Sequence, residues 1–171
     1  MDAFVVEEGG VADLDLLGPL WVAVHHQHQR AMPQLAPYVD DDTTWRERRV
    51  LYAQLFTDHD PVLLLGRHAG DLVGYALGYT MPVASTWIAD TWATGELVGE
   101  VESLSVLPAY RGRGLGSRLL TMLDDRLREA GARDLIVGAL SGNVDAQRLY
   151  ERHGFQPTWL YLSRLDGRES P

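Results

Sequence analysis

Apolar residues recur along this chain at two spacings, and each spacing predicts a type of secondary structure. Short alternating or continuous apolar runs predict β-strands at residues 3–6, 61–67, 72–80, 97–106, 134–140 and 155–165. Apolar residues three and four positions apart predict helices at residues 11–29, 43–56, 115–130 and 144–153. This order, an antiparallel set followed by alternating strands and helices, predicts an α+β fold around a mixed sheet.

Polar residues at the ends of these segments predict where helices begin and where the chain turns. Thr43 or Thr44 is placed to cap the second helix and Asn143 the last one, since short polar side chains accept hydrogen bonds from first-turn N–H groups. Gly154 follows the last helix, where a left-handed glycine commonly ends one. The tetrapeptide HAGD between two apolar runs predicts a β-hairpin.

The junction between the fourth predicted strand and the third helix, residues 105–120, contains three glycines and three arginines. The first N–H groups of a helix have no partner within it, and glycines let a ligand approach them closely. The turn therefore predicts an anion site, and a pyrophosphate cradle in particular. A dinucleotide fingerprint is the rival, but only Gly112 and Gly114 match it, its third position is Ser117, and no acidic residue ends the next strand.

The composition of the 171 residues excludes several classes of protein. Cysteine is absent, which excludes disulfides and thiolate metal sites, and lysine is absent, which excludes a P-loop. A net charge of −9 argues against binding to nucleic acid or to an anionic membrane. No apolar run has the length of a bilayer span, and the N-terminal residues lack a secretory pattern, so we expect a cytoplasmic protein.

The charges are divided unevenly along the chain. Between residues 1 and 44 the acidic residues face a single basic one, Arg30, whereas arginines dominate between residues 111 and 133. An acidic end and a basic segment predict two different ligands, an anion at the glycine turn and a cation elsewhere.

Two blocks of residues resemble the acetyl-CoA-binding motif of the GCN5-related N-acetyltransferases, the GNAT family. They are Arg111-x-x-Gly114-x-Gly116, which follows an apolar strand and Pro108, and Asn143-x-x-Ala146-x-x-x-Tyr150, which is followed by Gly154-Phe155. The two blocks occur in the family's order and are separated by one predicted strand, and the resemblance extends over residues 98–155.

The resemblance implies a fold and a domain organisation. The fold is a mixed, largely antiparallel sheet flanked by helices, with a V-shaped opening between two parallel strands. Residues 1–171 form a single acetyltransferase domain, in which residues 1–96 are the acceptor-side half and residues 97–156 the acetyl-CoA-binding core.

The resemblance also implies which residues contact acetyl-CoA as the co-substrate. Backbone groups of the turn bind the pyrophosphate, and the strand before it pairs with the pantetheine arm. The turn residues are Arg111, Gly112, Arg113, Gly114, Leu115, Gly116 and Ser117. The strand residues are Leu104 and Val106, the arginine side chains that add charge are Arg113 and Arg118, and the last helix contributes Asn143 and Ala146.

The reaction implied by the family is acetyl transfer to a primary amine, by direct attack in a ternary complex. A carboxylate, directly or through water, can take the proton of the ammonium. Glu102 matches the family's glutamate, with Glu100 on the same strand face, or water alone, as alternatives. Tyr150 matches a tyrosine that protonates the leaving thiolate, and a cysteine-linked intermediate is excluded because the chain has no cysteine.

The leading expectation for the acceptor is a small-molecule cationic amine. A protein or peptide N-terminus is the second, and a non-catalytic acyl-CoA-binding sensor is a third; both a monomer and a homodimer stay open. Trp45, Trp87 and Trp92 either line an acceptor pocket or pack in the core. The histidines of VHHQHQ lack a carboxylate at suitable spacing, so we expect no metal site there.

Overall fold

Five strands form one sheet between two layers of helices. The computed structural model describes residues 3–166. The strands are β1 (Val5–Gly9), β2 (Val62–His68), β3 (Asp71–Pro82), β4 (Leu97–Val106) and β5 (Asp134–Val137). The α-helices are α1 (Gly18–Ala31), α2 (Asp41–Asp58), α3 (Leu115–Glu129) and α4 (Val144–Arg152). The strands lie in sequence order, antiparallel except for the parallel pair β4–β5, so the predicted mixed, largely antiparallel sheet is confirmed.

Strand β2 explains why helices cover both faces of the sheet. Leu63, Leu64 and Leu65 are all buried, and successive side chains of a strand point to opposite faces. Leu64 packs in the cluster with α3, while Leu63 and Leu65 pack in the cluster with α2. Helix α3 buries a stripe of five leucines, each worth about 1.5–3 kcal/mol of transfer free energy. They are Leu115, Leu119, Leu120, Leu123 and Leu127.

Strand β4 is paired on one edge along its whole length but on the other edge along only half of it. Its parallel pairing with β5 extends from Val98 opposite Asp134 to Val101 opposite Val137, and β4 continues to Val106. The two strands therefore diverge after Val101, which is the expected V-shaped opening. On the β3 side, Leu77 lies opposite Ser103 and Gly78 opposite Val101, so Glu102 is the extra residue of a β-bulge.

Several predicted element ends are wrong, each for a local reason. Helix α2 begins two residues early because the Asp40 carboxylate, rather than a threonine, accepts the hydrogen bond from the Thr43 N–H at 2.7 Å. Thr44 is buried and instead accepts from the indole N–H of Trp21 at 2.9 Å. The first helical segment is a 3-10 helix up to Leu17, and the α-helix begins only there.

The strand predicted at residues 155–165 is also wrong. Within the described residues, the chain after α4 has no strand. The Trp159 ring instead packs edge-on against Trp87, with 5.0 Å between centroids, and Leu160 and Leu162 are exposed. An apolar run becomes a strand only when a sheet edge pairs with it, and β5, shorter than predicted, provides no pairing to this segment.

Candidate active site

A groove of about 370 Å³ follows the free edge of β4, where β5 has diverged. Four parts of the chain meet around it: β4, the glycine turn, α1 and α4. The residues predicted for the donor that line it are Leu104, Val106, Arg111, Gly112, Gly114, Leu115, Gly116, Ser117, Asn143 and Ala146, and the predicted catalytic residue Tyr150 lines it as well. The structure thus brings nearly all of the predicted donor residues together around one cavity.

The glycine turn presents backbone N–H groups at the end of this groove. Gly112 and Gly114 have φ angles of 72° and 87°, which favour glycine, and an added Cβ at either would meet no atom within 4 Å. The first hydrogen bond of α3 runs from the Arg118 N–H to the Gly114 carbonyl, so the N–H groups at residues 115–117 have no partner in the helix. The arrangement suits an anion, because these groups lie at the positive end of the helix dipole.

The arginines of the turn divide into one that lines the groove and two that do not. Arg111 donates to the Val106 carbonyl at 2.9 Å and to the Gln27 side chain at 3.2 Å. Burial, with a smaller contribution from Arg30, lowers the pKa of Arg111. The other two do not line the groove: Arg113 lies against the Tyr110 ring, and Arg118 donates to the Phe4 carbonyl at 2.6 Å, so their phosphate role stays a prediction.

Helix α4 carries the second predicted block. The Asn143 side chain accepts from the Ala146 N–H at 3.4 Å, which confirms that Asn143 caps the helix. Tyr150 is 9% exposed and packs on Phe155, and its hydroxyl has no hydrogen bond to any described residue. No described side-chain oxygen is both fully buried and unpartnered, so this hydroxyl is reached by solvent, and Tyr150 is one of the residues lining the groove. Burial raises the pKa of Tyr150 to about 12, which keeps the phenol protonated.

Sequence reasoning missed the groove residues Val24 and Gln27 of α1 and Asp145, Leu149 and Arg152 of α4. Leu149 could have been found, because it lies one helical turn after Ala146 on the same face. The α1 residues give no such signal, since their contact with the groove depends on where α1 crosses the sheet.

The two candidate carboxylates lie on the other side of β4, facing α2. Glu102 forms an ion pair with Arg48, and Glu100 accepts a hydrogen bond from the Tyr79 hydroxyl at 2.9 Å. Burial raises the pKa of Glu102, with Glu100 adding to the rise and Arg48 opposing it. Burial raises the pKa of Tyr79 strongly, and the charge of Glu100 adds to this. Glu100 and Glu102 therefore lie on the same face of β4, and the bulge at Glu102 does not separate them.

Beside these carboxylates, a second cleft of about 280 Å³ opens between α1 and α2. It is lined by Trp21, Val39, Thr43, Thr44, Glu47, Arg48 and Leu51. None of the three tryptophans considered from the sequence lines it: Trp45 packs against the core, whereas Trp87 and Trp92 pack edge-to-face with 5.5 Å between ring centroids.

Two histidines of the VHHQHQ segment, His25 and His26, have hydrogen-bond partners within the protein. His25 contacts the Val39 carbonyl at 2.9 Å, and His26 contacts the Asp41 carboxylate at the same distance. Over residues 3–166 no group of three histidine, aspartate or glutamate side chains is arranged to hold a metal ion. In the same part of the chain, no helix is long and apolar enough to cross a bilayer.

Comparison with known proteins finds a matching family. The model of the acetyltransferase (GNAT) family matches residues 21–155. An aminoalkylphosphonate N-acetyltransferase of Salmonella typhimurium is 40% identical over 62 residues, covering 34% of this chain and 38% of that protein. An uncharacterized N-acetyltransferase of Bacillus subtilis, YycN, is 26% identical over 132 residues, covering 71% of this chain and 78% of that protein.

Solved structures share the fold at low sequence identity. A predicted acetyltransferase from Clostridium acetobutylicum, solved with acetyl-CoA, superimposes with a TM-score of 0.66. The two sequences are 18% identical, and the match covers 94% of this chain and 96% of the other. This likeness extends over the sheet and both helical layers described above.

Proposed function

Because this chain belongs to the GNAT family of acetyltransferases, we propose that it transfers the acetyl group of acetyl-CoA to a primary amine. Acetyl-CoA is the co-substrate of that family. The observation that carries the proposal is the groove, in which an unpaired strand edge leads directly to the N-terminus of a helix. The first feature suits an amide-bearing chain and the second suits a phosphate.

The donor half of the proposal assigns each part of acetyl-CoA to part of the groove. The backbone of Leu104 and Val106 pairs with the pantetheine amides, as a strand would. The N–H groups at residues 115–117 bind the pyrophosphate, and Arg111 adds a cation close by. What supports this assignment is that the left-handed Gly112 and Gly114 leave open space where a Cβ would stand.

The chemical step forms a bond between the amine nitrogen and the acetyl carbon and breaks the bond from that carbon to sulfur. The amine must first lose a proton, and Glu102 or Glu100 takes it directly or through water. The thiolate that leaves gains a proton from the neutral Tyr150 phenol, the donor that we propose, and the second proton that the nitrogen loses on becoming an amide restores the phenol through water. Transfer is direct within a ternary complex, since no cysteine can carry the acetyl group.

The acceptor that we propose is a small-molecule amine that arrives as its ammonium cation, in the cytoplasm. The cleft beside Glu102, at about 280 Å³, has the size of a small ligand. The relative from Salmonella is named for a small amine that it acetylates, which agrees with this class. A peptide N-terminus is the second candidate, and a sensor without catalysis is the third.

Release of free thiol from acetyl-CoA, measured over a panel of small amines and short peptides, tests these candidates. We expect turnover with at least one class of small amine and little with peptides. Turnover with peptides alone would favour the second candidate. Binding of acetyl-CoA in calorimetry without turnover on any amine would favour the sensor and contradict the proposed reaction.

A further inference from the structure

The guanidinium of Arg48 lies at the junction of the cleft and the candidate carboxylates. Its central carbon is 3.8 Å from the centroid of the Trp21 ring and 5.6 Å from that of Tyr52. On its other side it forms the ion pair with Glu102. Two aromatic rings and a carboxylate thus hold this cation in one orientation, with 24% of its side chain exposed at the cleft.

Arg48 keeps unused hydrogen-bonding capacity. A guanidinium has five N–H donors, and among the described residues Arg48 has one hydrogen-bond partner, the Glu102 carboxylate. The remaining donors form the planar fork that binds two oxygens of a carboxylate or phosphonate side by side. Such a fork, already oriented by its neighbours, loses little conformational entropy when it binds.

The other charged groups around the cleft are already engaged. Glu47 lines it but contacts Arg46 at 3.2 Å, and Asp41 contacts His26 at 2.9 Å. His28 has a lowered pKa, through burial first and then through His25 and Arg48, so it is neutral near pH 7. Of the described residues lining the cleft, Arg48 is the only basic one. A ligand there meets one oriented cation with free donors, together with the exposed Glu47 carboxylate that pairs with Arg46.

The cleft is also adjacent to the groove proposed for acetyl-CoA. Trp21 lines the cleft and Val24 lines the groove, and the two are about 4.5 Å apart along α1. Glu102 precedes Leu104 of the groove by two residues, about 7 Å along β4. The cleft and the proposed acetyl-CoA groove are therefore lined by residues one helical turn apart on α1, and the candidate carboxylate Glu102 lies two residues from the groove on β4.

From these observations we propose that the acceptor is a zwitterion, an amine that carries an oxyanion near its nitrogen. Arg48 binds the oxyanion and Glu102 receives the ammonium. Each charge of the acceptor then lies beside a protein charge of opposite sign. A purely cationic amine would instead share the Glu102 carboxylate with Arg48 and leave the remaining Arg48 donors without an acceptor. This inference rests on the proposed function and narrows its acceptor from an ammonium ion to an ammonium ion with an adjacent carboxylate or phosphonate.

The test compares three acceptors that share one side chain: an α-amino acid, its aminophosphonate analogue, and the neutral amide of the amino acid. For the unmodified protein we expect kcat/KM for the preferred oxyanion to exceed that for the amide by about ten- to a hundredfold, the range of a hydrogen-bonded charge. In Arg48→Gln the advantage falls close to one, mainly through KM. Arg48→Lys retains the charge but not the planar fork, so we expect this variant to keep part of the advantage.

The ratio between acceptors within one variant is the decisive readout, because a general loss of Glu102 function would lower both rates equally. Arg49→Gln is the matched control: it removes the same charge from the same helix, where Arg49 pairs with the exposed Asp15. Equal rates for oxyanion and amide, or an advantage that survives Arg48→Gln, would overturn the inference alone. Acetyl-CoA binding without acetylation of any amine would overturn the proposed function, and this inference with it.

Discussion

At the residue scale, two glycines with similar positive φ angles distinguish the effect of a substitution on acetyl-CoA binding from its effect on stability. Gly114 has φ 87° in the groove, and Gly70 has φ 91° in the β2–β3 hairpin; an added Cβ meets no atom within 4 Å at either. We expect Gly114→Val and Gly70→Val to lose similar free energies of unfolding, about 1–2 kcal/mol, from the same left-handed strain. Only Gly114→Val should lose acetyl-CoA affinity in calorimetry.

A substitution at Gly116 would not introduce the left-handed strain expected at Gly114, because the φ angle of Gly116 is not positive. An added Cβ there would lie 3.7 Å from Leu149 and 3.8 Å from Val106, in ordinary contact within the groove. Unchanged acetyl-CoA affinity in a folded Gly114→Val protein would contradict the assignment of the turn to the pyrophosphate.

A second residue-scale prediction concerns the Tyr150 hydroxyl. We expect Tyr150→Phe to leave acetyl-CoA affinity nearly unchanged and to lower turnover by about ten- to a thousandfold, as for a lost general acid. Since the pKa of Tyr150 is about 12, the phenol stays protonated and its contribution to turnover should not decline between pH 7 and pH 10. Tyr75→Phe, in which the removed hydroxyl contacts Tyr52 away from the groove, is the control in steady-state kinetics. Equal turnover in both variants would make Tyr150 a packing residue.

At this scale the sequence predicts backbone sites better than side-chain partners. The left-handed positions of the turn could be predicted because only glycine readily tolerates that path of the chain. The pairing of Arg48 with Glu102 joins residues 54 apart and depends on how α2 crosses β4, which no local spacing encodes. For the same reason Arg118 could not be known to contact Phe4.

At the element scale, the loop before α4 is fixed by a close contact with the end of α1. A Cβ added at Gly142 would lie 2.1 Å from the Ala31 carbonyl oxygen and 2.7 Å from the Met32 sulfur. We expect Gly142→Ala to displace the loop that carries Asn143, costing about 1–3 kcal/mol of stability and weakening acetyl-CoA binding.

Gly138 provides the matched control for this prediction, because it lies in the same connection and an added Cβ there meets nothing within 4 Å. Gly138→Ala should change the free energy of unfolding by less than about 0.5 kcal/mol and leave acetyl-CoA affinity unchanged. Urea unfolding and calorimetry measure both quantities. Equal behaviour of the two alanine variants would show that the α1 contact does not position α4.

Elements with their own strong signals were predicted well from the sequence. Helix α3 combines a leucine stripe with glycines at both ends, and α4 has its cap, so their positions agree with the structure to within one residue. Elements that depend on distant partners were predicted less well. Residues 155–165 are as apolar as a strand but lack a pairing edge, and the Asp40 cap competes with two equally plausible threonines.

At the scale of the whole molecule, the absence of lysine and cysteine makes tyrosine the side chain that titrates between about pH 9 and pH 11.5. Burial raises the pKa of Tyr52 and Tyr150 to about 12, and that of Tyr75 and Tyr79 also rises. Above pH 10 the unfolded chain has released protons that the folded protein retains. The stability from these tyrosines is therefore complete below pH 10 and is lost as the pH rises towards 12.

The measurement is urea unfolding at pH 8 and at pH 11, together with tyrosinate absorbance of the folded protein. We expect the free energy of unfolding to fall by a few kcal/mol over that interval, because at pH 11 each of Tyr52 and Tyr150, whose pKa is raised from 10.0 to about 12, has lost about half of its contribution. A midpoint that does not move, or tyrosinate absorbance that rises fully near pH 10 before unfolding, would contradict this prediction.

The protein is acidic, with a net charge of −9, but this value does not predict the charge of the side chains that line either candidate cavity. The carboxylates Asp40 and Asp41 are used by a helix cap and by His26, while the cleft beside them exposes Arg48. Overall charge is a sum over the surface, whereas recognition depends on which side chains remain free where a ligand enters.

Side-chain substitutions along the free edge of β4 would not remove the hydrogen bonds that its backbone offers to a ligand. If the peptide groups of Leu104 and Val106 hold the donor, as proposed, every residue type except proline offers the same hydrogen bonds there. Alanine scanning of the strand would then register packing losses and overlook donor contacts entirely. Replacing a single peptide bond by an ester, through chemical synthesis or semisynthesis, would delete one such contact and leave every side chain intact.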